Sequence, residues 1–341
     1  MAQLFTPYSI KDLHLKNRVV MAPMCQYSVT AKDGKPNDWH FVHYTSRAVG
    51  GAGLIITEMT DVEPDGRITD YDLGLWSDEQ IPAFRHIVDS CHTYGAKIGI
   101  QIAHAGRKAE DAPVPVAPSA IQYPGDRYKM PRALTTDEVK RLIEKFGQTA
   151  KRALQAGVDT IELHGAHGYL IHQFQSPLTN QRSDEYGKDL SRFGVEVIQA
   201  VKAELPSTMP LLLRISAIEY VAGGYGLDYS IDMAKQYQKA GVDMLHVSSG
   251  GEGPIGSAGR PGSSPGYQVP LARALKHALT IPIIAVGRLE DAALAEAVIA
   301  NEDADLVAIA RGMLRDPYWA LHAATDLKET PDAPKQYARA F

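Results

Sequence analysis

Eight short apolar segments, separated by helical stretches, recur along the chain and constrain its fold more than any other feature. They read RVVMAPM (18–24), GLIITEM (53–59), KIGIQIAHAG (97–106), TIELHGAH (160–167), LLLRIS (211–216), MLHVSSG (244–250), IPIIAVG (281–287) and LVAIARG (306–312). Nearly continuous runs of Val, Ile and Leu are typical of strands that are buried on both faces of a parallel sheet. Eight such strands alternating with helices predict an α/β protein with a single (β/α)8 TIM barrel over residues 1–341.

A doubly wound sheet is the other α/β fold in which strands and helices alternate. It rarely needs eight evenly buried strands, and no G-x-G-x-x-G motif opens a helix after any of the segments. The stretches QAGVDTIEL and KAGVDMLHV share one pattern, in which a glycine ends a helix and an apolar strand follows at once. The helix in TTDEVKRLIEKFGQTAKRALQAG is predicted to begin with Thr135 or Thr136 as its N-cap.

The bulk composition excludes several classes of protein. A net charge of −5 gives no electrostatic reason to expect nucleic acid or an anionic membrane as a partner. The two cysteines, Cys25 and Cys91, are too few for a disulfide framework or a four-cysteine iron–sulfur site. The apolar runs are too short to span a bilayer, and the first residues, MAQLFTPYSIKDL, do not form a signal-peptide pattern. We therefore expect a cytoplasmic protein with reduced thiols.

Polar side chains collect where the predicted strands end. The carboxyl ends of barrel strands meet at one rim, which is where such barrels carry their active sites. In chain order, the strand ends offer Cys25, Glu58, Gln101 with His104, His164 with His167, Arg214, the SSGG turn, Gly287 with Arg288, and Arg311 with Gly312. The sequence therefore predicts an active site at this rim.

The loops after the seventh and eighth predicted strands are alike. They read AVGRLED and ARGMLRDP, and each offers a glycine for close backbone approach and an arginine for phosphate oxygens. Barrels often bind phosphate at these two places, which favours a phosphorylated cofactor. Ordinary barrel loops with surface arginines have the same composition, so the pattern alone leaves both interpretations open.

Two histidines and a tyrosine follow the fourth predicted strand, in the stretch HGAHGY. His164 and His167 could ligate zinc together with His104 or Glu162, although no recognised zinc spacing is present. They could instead be hydrogen-bonded core residues. A third interpretation makes them two neutral imidazole donors to a substrate oxygen, in the manner of an oxyanion hole, with Tyr169 as the proton donor. The spacing does not decide among the three.

Six motifs carry a resemblance to a known family. APMCQYS, GRITDYDLGLWSDEQI, IQIAHAGRKA, HGAHGYLIHQFQSPLTNQRSDEYG, PGYQVP and RGMLRDP together resemble the old yellow enzyme family of FMN-dependent ene-reductases. Cys25, Tyr27 and the tail QYARAF are similar to its short, thermophilic-like subclass. The resemblance extends from about Leu4 to the C-terminus, and the histidine–tyrosine stretch with its SPLTNQRSDEYG continuation is its most specific part.

The resemblance implies FMN as the cofactor and NADPH or NADH as the reductant. The residues that it assigns to FMN are Ala22, Pro23, Met24, Cys25, Met59, Gln101, Arg214, Gly287, Arg288, Ala310 and Arg311. Residues 22–25 would line one side of the isoalloxazine ring, with Cys25 tuning its potential. Gln101 would hydrogen-bond the pyrimidine edge, Arg214 would lie beside N1 and the C2 carbonyl, and the last four would hold the ribityl phosphate. By residue type alone, the other interpretation of Cys25 is a small buried hydrophobe.

The resemblance also implies an ene-reductase activity. His164 and His167 would bind the activating oxygen of an α,β-unsaturated ketone, aldehyde, imide or nitroalkene, and Tyr169 would protonate the α-carbon. Tyr27 would add a contact to this small-molecule substrate. In the subclass, an arginine near the C-terminus reaches into a neighbouring subunit's site, and Arg339 in the tail 331–341 has that place. We therefore expect a homodimer or homotetramer, with no metal, nucleic acid or membrane as a partner.

The chain departs from the family pattern at two places, and other functions fit parts of it. Met59 lies where the family more often has a small residue, and KDLSRF after Gly187 is shorter than the usual link. One alternative is a flavin-based redox sensor that uses Cys25 as its switch. Another is a metal-dependent barrel hydrolase that uses His164 and His167. Two cysteines argue against dienoyl-CoA or trimethylamine-type flavoproteins, which carry an iron–sulfur cluster.

Overall fold

Eight parallel strands close into a barrel in the computed structural model, which describes residues 2–253, 264–337 and 339–341. The strands are β1 Val19–Met21, β2 Leu54–Asp61, β3 Lys97–Ala103, β4 Thr160–Gly165, β5 Leu211–Ser216, β6 Met244–Ser248, β7 Ile283–Val286 and β8 Leu306–Ile309. Each strand pairs with its sequence neighbours, and β1 pairs with both β2 and β8, which closes the barrel. The prediction of a (β/α)8 TIM barrel is confirmed.

Helices connect successive strands and continue after the last one. They are α1 Asp38–Val49, α2 Ile81–Thr93, α3 Thr136–Ala156, α4 Leu170–Gln175, α5 Glu185–Lys188, α6 Arg192–Glu204, α7 Leu227–Ala240, α8 Val269–Ala278, α9 Ala292–Ala300, α10 Arg311–Arg315 and α11 Trp319–Asp326. Over the residues that the structure describes, none of them combines the length and apolar character that a bilayer-spanning segment needs.

The ends of the longest helix follow from its sequence. Thr135 is the N-cap of α3, and its hydroxyl accepts a hydrogen bond from the backbone N–H of Glu138 at 3.3 Å. The Glu138 carboxylate in turn accepts from the backbone N–H of Thr135 at 2.8 Å, which completes a capping box. The helix ends at Gly157, whose φ of 91° is left-handed and favours glycine. Of the two predicted N-caps, Thr135 is the one that the structure uses.

Apolar side chains fill the amino end of the barrel. The inner cluster includes the first residues of several strands, among them Leu54, Leu212, Met244 and Leu306. A hairpin formed by Tyr8–Ile10 and Leu13–Leu15 contributes two more leucines to this cluster. The outward-facing strand residues instead pack with the helices in a second, larger cluster. Since the amino end is closed by apolar contacts, the carboxyl end is the one that remains for polar groups.

A buried polar layer lies closer to the carboxyl ends of the strands. Gln101 on β3 donates from Nε2 to Glu162 on β4 at 2.7 Å, and Glu162 also pairs with His246 Nδ1 at 2.8 Å. Strand β6, which carries His246, is not adjacent to β4, so this hydrogen bond crosses the barrel interior. The side chain of Arg214 comes from β5, which lies between them. The interior therefore changes from apolar to polar along the barrel axis.

The end of β4 and the link after Gly187 are two details that the sequence pattern predicted wrongly or left open. Strand β4 ends at Gly165 rather than at residue 167, because the chain turns away from the sheet after Gly165 and His167 has a left-handed φ. The short link after Gly187 forms a tight turn between α5 and α6. The hydroxyl of Ser191 donates to Asp189 Oδ1 at 2.7 Å, and its backbone N–H donates to the same oxygen at 3.0 Å. These bonds satisfy the polar groups of the turn without a longer loop.

Candidate active site

The end of β4 and the turn after it carry the predicted catalytic residues. His164 is buried within the strand, and its Nδ1 accepts a hydrogen bond from the backbone N–H of Ala166 at 3.3 Å. His167 follows with a left-handed φ of 59°, and its backbone N–H donates to Ser216 Oγ at 3.0 Å. This conformation is uncommon for a residue other than glycine and costs backbone energy. A contact from β5, rather than local preference, therefore helps to hold the turn.

The two imidazoles form a neutral donor pair. The rings of His164 and His167 meet edge to face, with centroids 5.1 Å apart and planes at 84°. Because Nδ1 of His164 accepts a hydrogen bond, the proton of the neutral ring is on Nε2. Burial, and secondarily the charge of Arg214, lowers the pKa of both rings well below the usual value. Each ring is therefore uncharged at neutral pH and keeps one N–H donor.

Tyr169 lies beside this pair, at the N-cap of α4. Its ring centroid is 4.9 Å from that of His164, and the two planes make an angle of 77°. The ring also packs against an apolar cluster that includes Met59 and Ala103, with Cys25 as a further neighbour. Burial raises the pKa of the phenol well above its usual value. The hydroxyl therefore stays protonated and can serve as a proton donor.

A cavity of about 300 Å³ opens at the carboxyl ends of the second half of the barrel. The predicted residues that line it are His167, Arg214, Gly287, Arg288, Ala310 and Arg311. Gly287 has a φ of +126°, and a β-carbon at that position would lie 2.8 Å from Gln268 Nε2. Only glycine fits this turn, and its backbone stays close to the cavity. The structure thus brings together both loops that the sequence predicts to hold a phosphate.

Arg214 is a buried cation in the wall of this cavity. Its Nε has no acceptor among the described residues, and burial lowers the pKa of its guanidinium. The carboxylate of Glu162 partly offsets this lowering of the Arg214 pKa, but its oxygens already bind Gln101 and His246. A buried charge with an unmet donor costs free energy unless another molecule supplies an acceptor. The site is therefore suited to a ligand that brings polar or anionic acceptors to Arg214.

A second cavity, of about 320 Å³, lies on the side of Tyr169. Tyr27 and Lys108 line it together with Tyr169, and the further lining residues are Ile68, Thr69, Glu110, Arg127 and Tyr128. Tyr27 is half-exposed and has a left-handed φ of 51°. Lys108 also lines the first cavity, so the two cavities share this side chain. We call the cavity beside Tyr169, which is lined by the half-exposed Tyr27, the mouth of the site.

Cys25 is held as a thiol. Burial is the main cause that raises the pKa of its side chain, and the carboxyl groups of Asp72, Glu58 and Asp61 raise it further. Cysteines that act as redox switches instead have lowered pKa values, since the thiolate is the reactive form. The environment of Cys25 therefore gives no support to the redox-sensor interpretation.

The histidine pair is not part of a metal-binding group among the described residues. The group that has metal-like geometry there consists of His172, Glu219 and Glu252. The Nδ1 atom of His172 accepts from the backbone N–H of Gly168 at 2.9 Å, so Nε2 carries the proton and pairs with Glu219 at 3.0 Å. A protonated Nε2 has no lone pair for a metal. This group is a hydrogen-bonded ion cluster, and the hydrolase interpretation gains no support.

Comparison with known proteins places this geometry in a family. The sequence model that defines the NADH:flavin oxidoreductase / NADH oxidase family matches residues 3–330. The chain belongs to this family. It is 47% identical over 344 residues to an NADPH dehydrogenase of Listeria welshimeri, with 100% of both chains covered. The structure of morphinone reductase has a TM-score of 0.82 and 28% identity, and covers 98% of this chain and 92% of its own.

An old yellow enzyme homologue from Zymomonas mobilis has the same fold. Its structure gives a TM-score of 0.82 and 28% identity, with 98% of this chain and 96% of the homologue covered. The resemblance to the old yellow enzymes and the prediction of an oxidoreductase are confirmed. FMN as the cofactor and a nicotinamide coenzyme as the reductant are confirmed at the level of the family.

The residues of this flavin oxidoreductase fit FMN. The unmet Nε of Arg214 offers a donor and a positive charge to a polar ring edge. Gly287 presents its backbone to the cavity, and Arg311 begins α10 at the same cavity. Gln101 directs its amide N–H to Glu162, and its amide oxygen receives no hydrogen bond from the described residues. These groups together can bind a flavin ring at one end and a phosphate at the other.

Other predicted residues of this family member lie outside the two cavity linings. They are Ala22, Pro23, Met24, Cys25, Met59, Gln101 and His164, all at or just beyond the carboxyl ends of β1–β4. Arg339 is exposed and lies outside both linings of its own chain. Tyr337, also in the tail, packs on Tyr318 of its own chain with ring centroids 5.7 Å apart.

Lys108 is a site residue that sequence reasoning missed, and Ser248, in the predicted SSGG turn, was given no role there. Ser248 Oγ lies 2.7 Å from His167 Nε2, and Lys108 Nζ donates to the His167 carbonyl at 2.8 Å. Both follow or end a strand at the carboxyl rim, in HAGRK after β3 and in VSSG at the end of β6. The rule that selected the other residues therefore includes them. Nothing in the sequence indicates that their partner is His167.

Proposed function

We propose that this flavin oxidoreductase is an ene-reductase that uses NADPH to reduce activated C=C bonds. Its substrates are α,β-unsaturated ketones, aldehydes, imides or nitroalkenes. The observation that carries the proposal is the group of aromatic side chains at the turn after β4, where the His164 ring lies 5.1 Å from His167 and 4.9 Å from Tyr169. Two neutral donors and a protonated phenol suit a reaction in which charge develops on an oxygen and a carbon is then protonated.

Each member of the group has one task in this reaction. His164 and His167 donate hydrogen bonds to the activating carbonyl or nitro oxygen. Negative charge develops on that oxygen as hydride reaches the β-carbon, so these donors stabilise the transition state more than the ground state. Tyr169 then gives its phenolic proton to the α-carbon, which is basic enough to be protonated by a phenol. Tyr27 contacts the substrate from the more exposed side.

FMN, when bound, supplies hydride transfer from the nicotinamide to the alkene. The residues that we assign to its binding are Ala22, Pro23, Met24, Cys25, Met59, Gln101, Arg214, Gly287, Arg288, Ala310 and Arg311. Residues 22–25 line the ring, Gln101 binds its pyrimidine edge, and Arg214 stabilises negative charge on it. The glycine and arginine loops after β7 and β8 hold the phosphate. The relative from Listeria welshimeri, an NADPH dehydrogenase, supports NADPH as the reductant.

A visible absorption spectrum tests this function. The purified protein is mixed anaerobically with NADPH, or with NADH for comparison, and then with cyclohexenone. We expect flavin bands that bleach with the nicotinamide and return with the enone. Bands that bleach and do not return contradict the ene-reductase function while leaving the flavin in place. A protein that neither contains nor takes up FMN contradicts the assignment of the cofactor site.

The chain is also proposed to act as a homodimer or homotetramer. One barrel domain spans residues 1–341 in this proposal, and the tail 331–341 brings Arg339 to the active site of a neighbouring subunit. Two observations support it: Arg339 is exposed, and it lines neither cavity of its own chain. An arginine at the mouth would add a fixed donor for substrate oxygens.

A further inference from the structure

We propose that Lys108 recognises an anionic group on the alkene, so that this enzyme prefers activated alkenes that carry a carboxylate. The inference rests on the proposed ene-reductase function and narrows its substrate class. Lys108 follows β3 at the end of a short helical turn, Gly106–Lys108, and belongs to the lining of both cavities. A substrate that reaches Tyr169 through the mouth therefore passes this side chain.

The Lys108 ammonium lies beside the proposed reacting groups. Its Nζ donates to the backbone carbonyl oxygens of His167 at 2.8 Å and Gly251 at 3.1 Å. It also lies 4.4 Å from the ring centroid of Tyr123 and 5.1 Å from that of Tyr169. An ammonium has three N–H donors, and these two carbonyls use two of them. The third is available to a bound molecule.

The charged side chains around Lys108 form ion pairs with one another and not with Lys108. Arg107 forms a buried ion pair with Glu252, and Arg127 lies 3.4 Å from the carboxylate of Glu110. Within the described residues, Lys108 has carbonyl oxygens as its polar partners and no carboxylate. The rest of the chain, residue 1, residues 254–263 and residue 338, contains no Asp or Glu. Lys108 is thus an ammonium at the mouth without a counter-charge in direct contact, although the more distant Glu252 and Glu110 raise its pKa.

A substrate carboxylate would supply that counter-charge. Burial is the main cause that lowers the pKa of Lys108 to about 8. The charges of Glu252 and Glu110 raise this pKa, whereas those of Arg107 and Arg127 lower it. A hydrogen bond between two charged partners is stronger than one between neutral groups, and more so where water is excluded. Lys108 is protonated below its pKa. The preference for an anionic alkene should therefore fall as the pH rises through about 8.

The test compares an acid with its methyl ester on one carbon skeleton. The kcat/KM values of the FMN-loaded enzyme are measured for 4-oxopent-2-enoate and for its methyl ester, with wild type, Lys108→Met and Lys108→Arg. The acid-to-ester ratio removes effects of a substitution on folding, flavin content and general activity. We expect Lys108→Met to lower this ratio about tenfold, the size of one lost charged hydrogen bond. Lys108→Arg keeps a cation and should retain most of the ratio.

The outcomes separate this proposal from the function on which it rests. Ester turnover with the same ratio in wild type and Lys108→Met overturns the role of Lys108 alone, because the side chain would then only hold backbone carbonyls. An equal fall of the ratio in Lys108→Met and Lys108→Arg also overturns it, since charge would not be the cause. Turnover of neither compound by wild type overturns both. If the variants do not fold, a wild-type ratio that does not fall as the pH rises through about 8 refutes the proposal.

Discussion

Ser248 Oγ lies 2.7 Å from His167 Nε2, so a residue of β6 holds the second imidazole of the turn after β4. A second contact from β5, the 3.0 Å hydrogen bond from the backbone N–H of His167 to Ser216 Oγ, fixes the same residue. The ring and the backbone of His167 are therefore held by two strands, β6 and β5, and not by β4, which precedes it in the chain. Donors that are held in place in advance stabilise a transition state with little reorganisation.

Replacing His164 by alanine tests the donor pair. We expect turnover of cyclohexenone to fall by about 10²–10³-fold, the usual cost of one lost donor of this kind. Bound FMN should be retained, because His164 is assigned to the substrate oxygen and not to the flavin. Stopped-flow reoxidation of the reduced enzyme measures the first effect, and the flavin-to-protein absorbance ratio measures the second. A colourless variant would mean that the histidine mainly holds the cofactor.

Replacing Tyr169 by phenylalanine tests the proton donor. Reoxidation of the reduced enzyme by an enone should slow by roughly 10²–10⁴-fold, the range for loss of a general acid. Reduction by NADPH should change little, because that step needs no proton from the phenol. Tyr128→Phe is the matched control, since Tyr128 lines the same mouth and its hydroxyl contacts Arg127 at 2.6 Å. Equal slowing in both variants would show that the mouth, rather than the Tyr169 proton, matters.

Replacing Arg214 by methionine should have opposite effects on the two forms of the protein. Without FMN, the variant should be more stable by about 1–3 kcal/mol, because the Arg214 Nε then no longer lies buried without an acceptor. With FMN, the protein should lose affinity for the flavin. Denaturant unfolding of flavin-free protein and titration with FMN measure the two effects. Arg214→Lys, which keeps a charge, serves as the control, and a less stable flavin-free Arg214→Met protein contradicts the reasoning.

Glu58 should make the stability depend on pH. Burial raises the pKa of this carboxyl to about 8, although hydrogen bonds from the Gln26 backbone N–H and the Tyr44 hydroxyl oppose the shift. The folded state therefore holds a proton that the unfolded state releases above roughly pH 4.3. The sign follows: the free energy of unfolding falls as the pH rises from that value to about 8.

Comparison with Glu58→Gln isolates this contribution. Glutamine does not titrate, so the free energy of unfolding of wild type should fall relative to that of the variant by on the order of a few kcal/mol over that pH range. Urea unfolding across the range measures the difference. The glutamine side chain has one oxygen acceptor fewer than the glutamate, but the effect of this loss on stability is the same at every pH. Parallel curves for the two proteins would show that Glu58 is ionised in the folded state.

Replacing Arg339 by alanine tests the shared active site. We expect turnover of enones to fall while light scattering still shows an oligomer, because one rim contact carries little of an interface's free energy. Lys335→Ala is the control, since Lys335 is also an exposed cation of the tail. A fully active monomer of the wild-type protein refutes the shared site. Unchanged kinetics in Arg339→Ala would do the same for the role of the arginine.

The barrel could be predicted because its determinants are local. Each strand that is buried on both faces leaves a run of apolar residues, and all eight observed strands coincide with predicted segments. The N-cap at Thr135 and the glycine at the end of α3 follow from residue types that suit those positions. The strand ends were less well predicted, because His167 leaves the sheet through a contact with β5 that no local pattern records.

By itself, the sequence determined the order of strands and helices, the rim at which polar residues gather, and the family. Those properties depend on the types and spacing of neighbouring residues. Only the tertiary structure decided that the Arg214 Nε lacks an acceptor among the described residues, that the pKa of the Cys25 thiol is raised and that Lys108 contacts His167 and Gly251. Burial and hydrogen-bond partners depend on which strands become neighbours when the barrel closes. Residues far apart in the chain, such as 108, 167 and 251, acquire their chemistry only then.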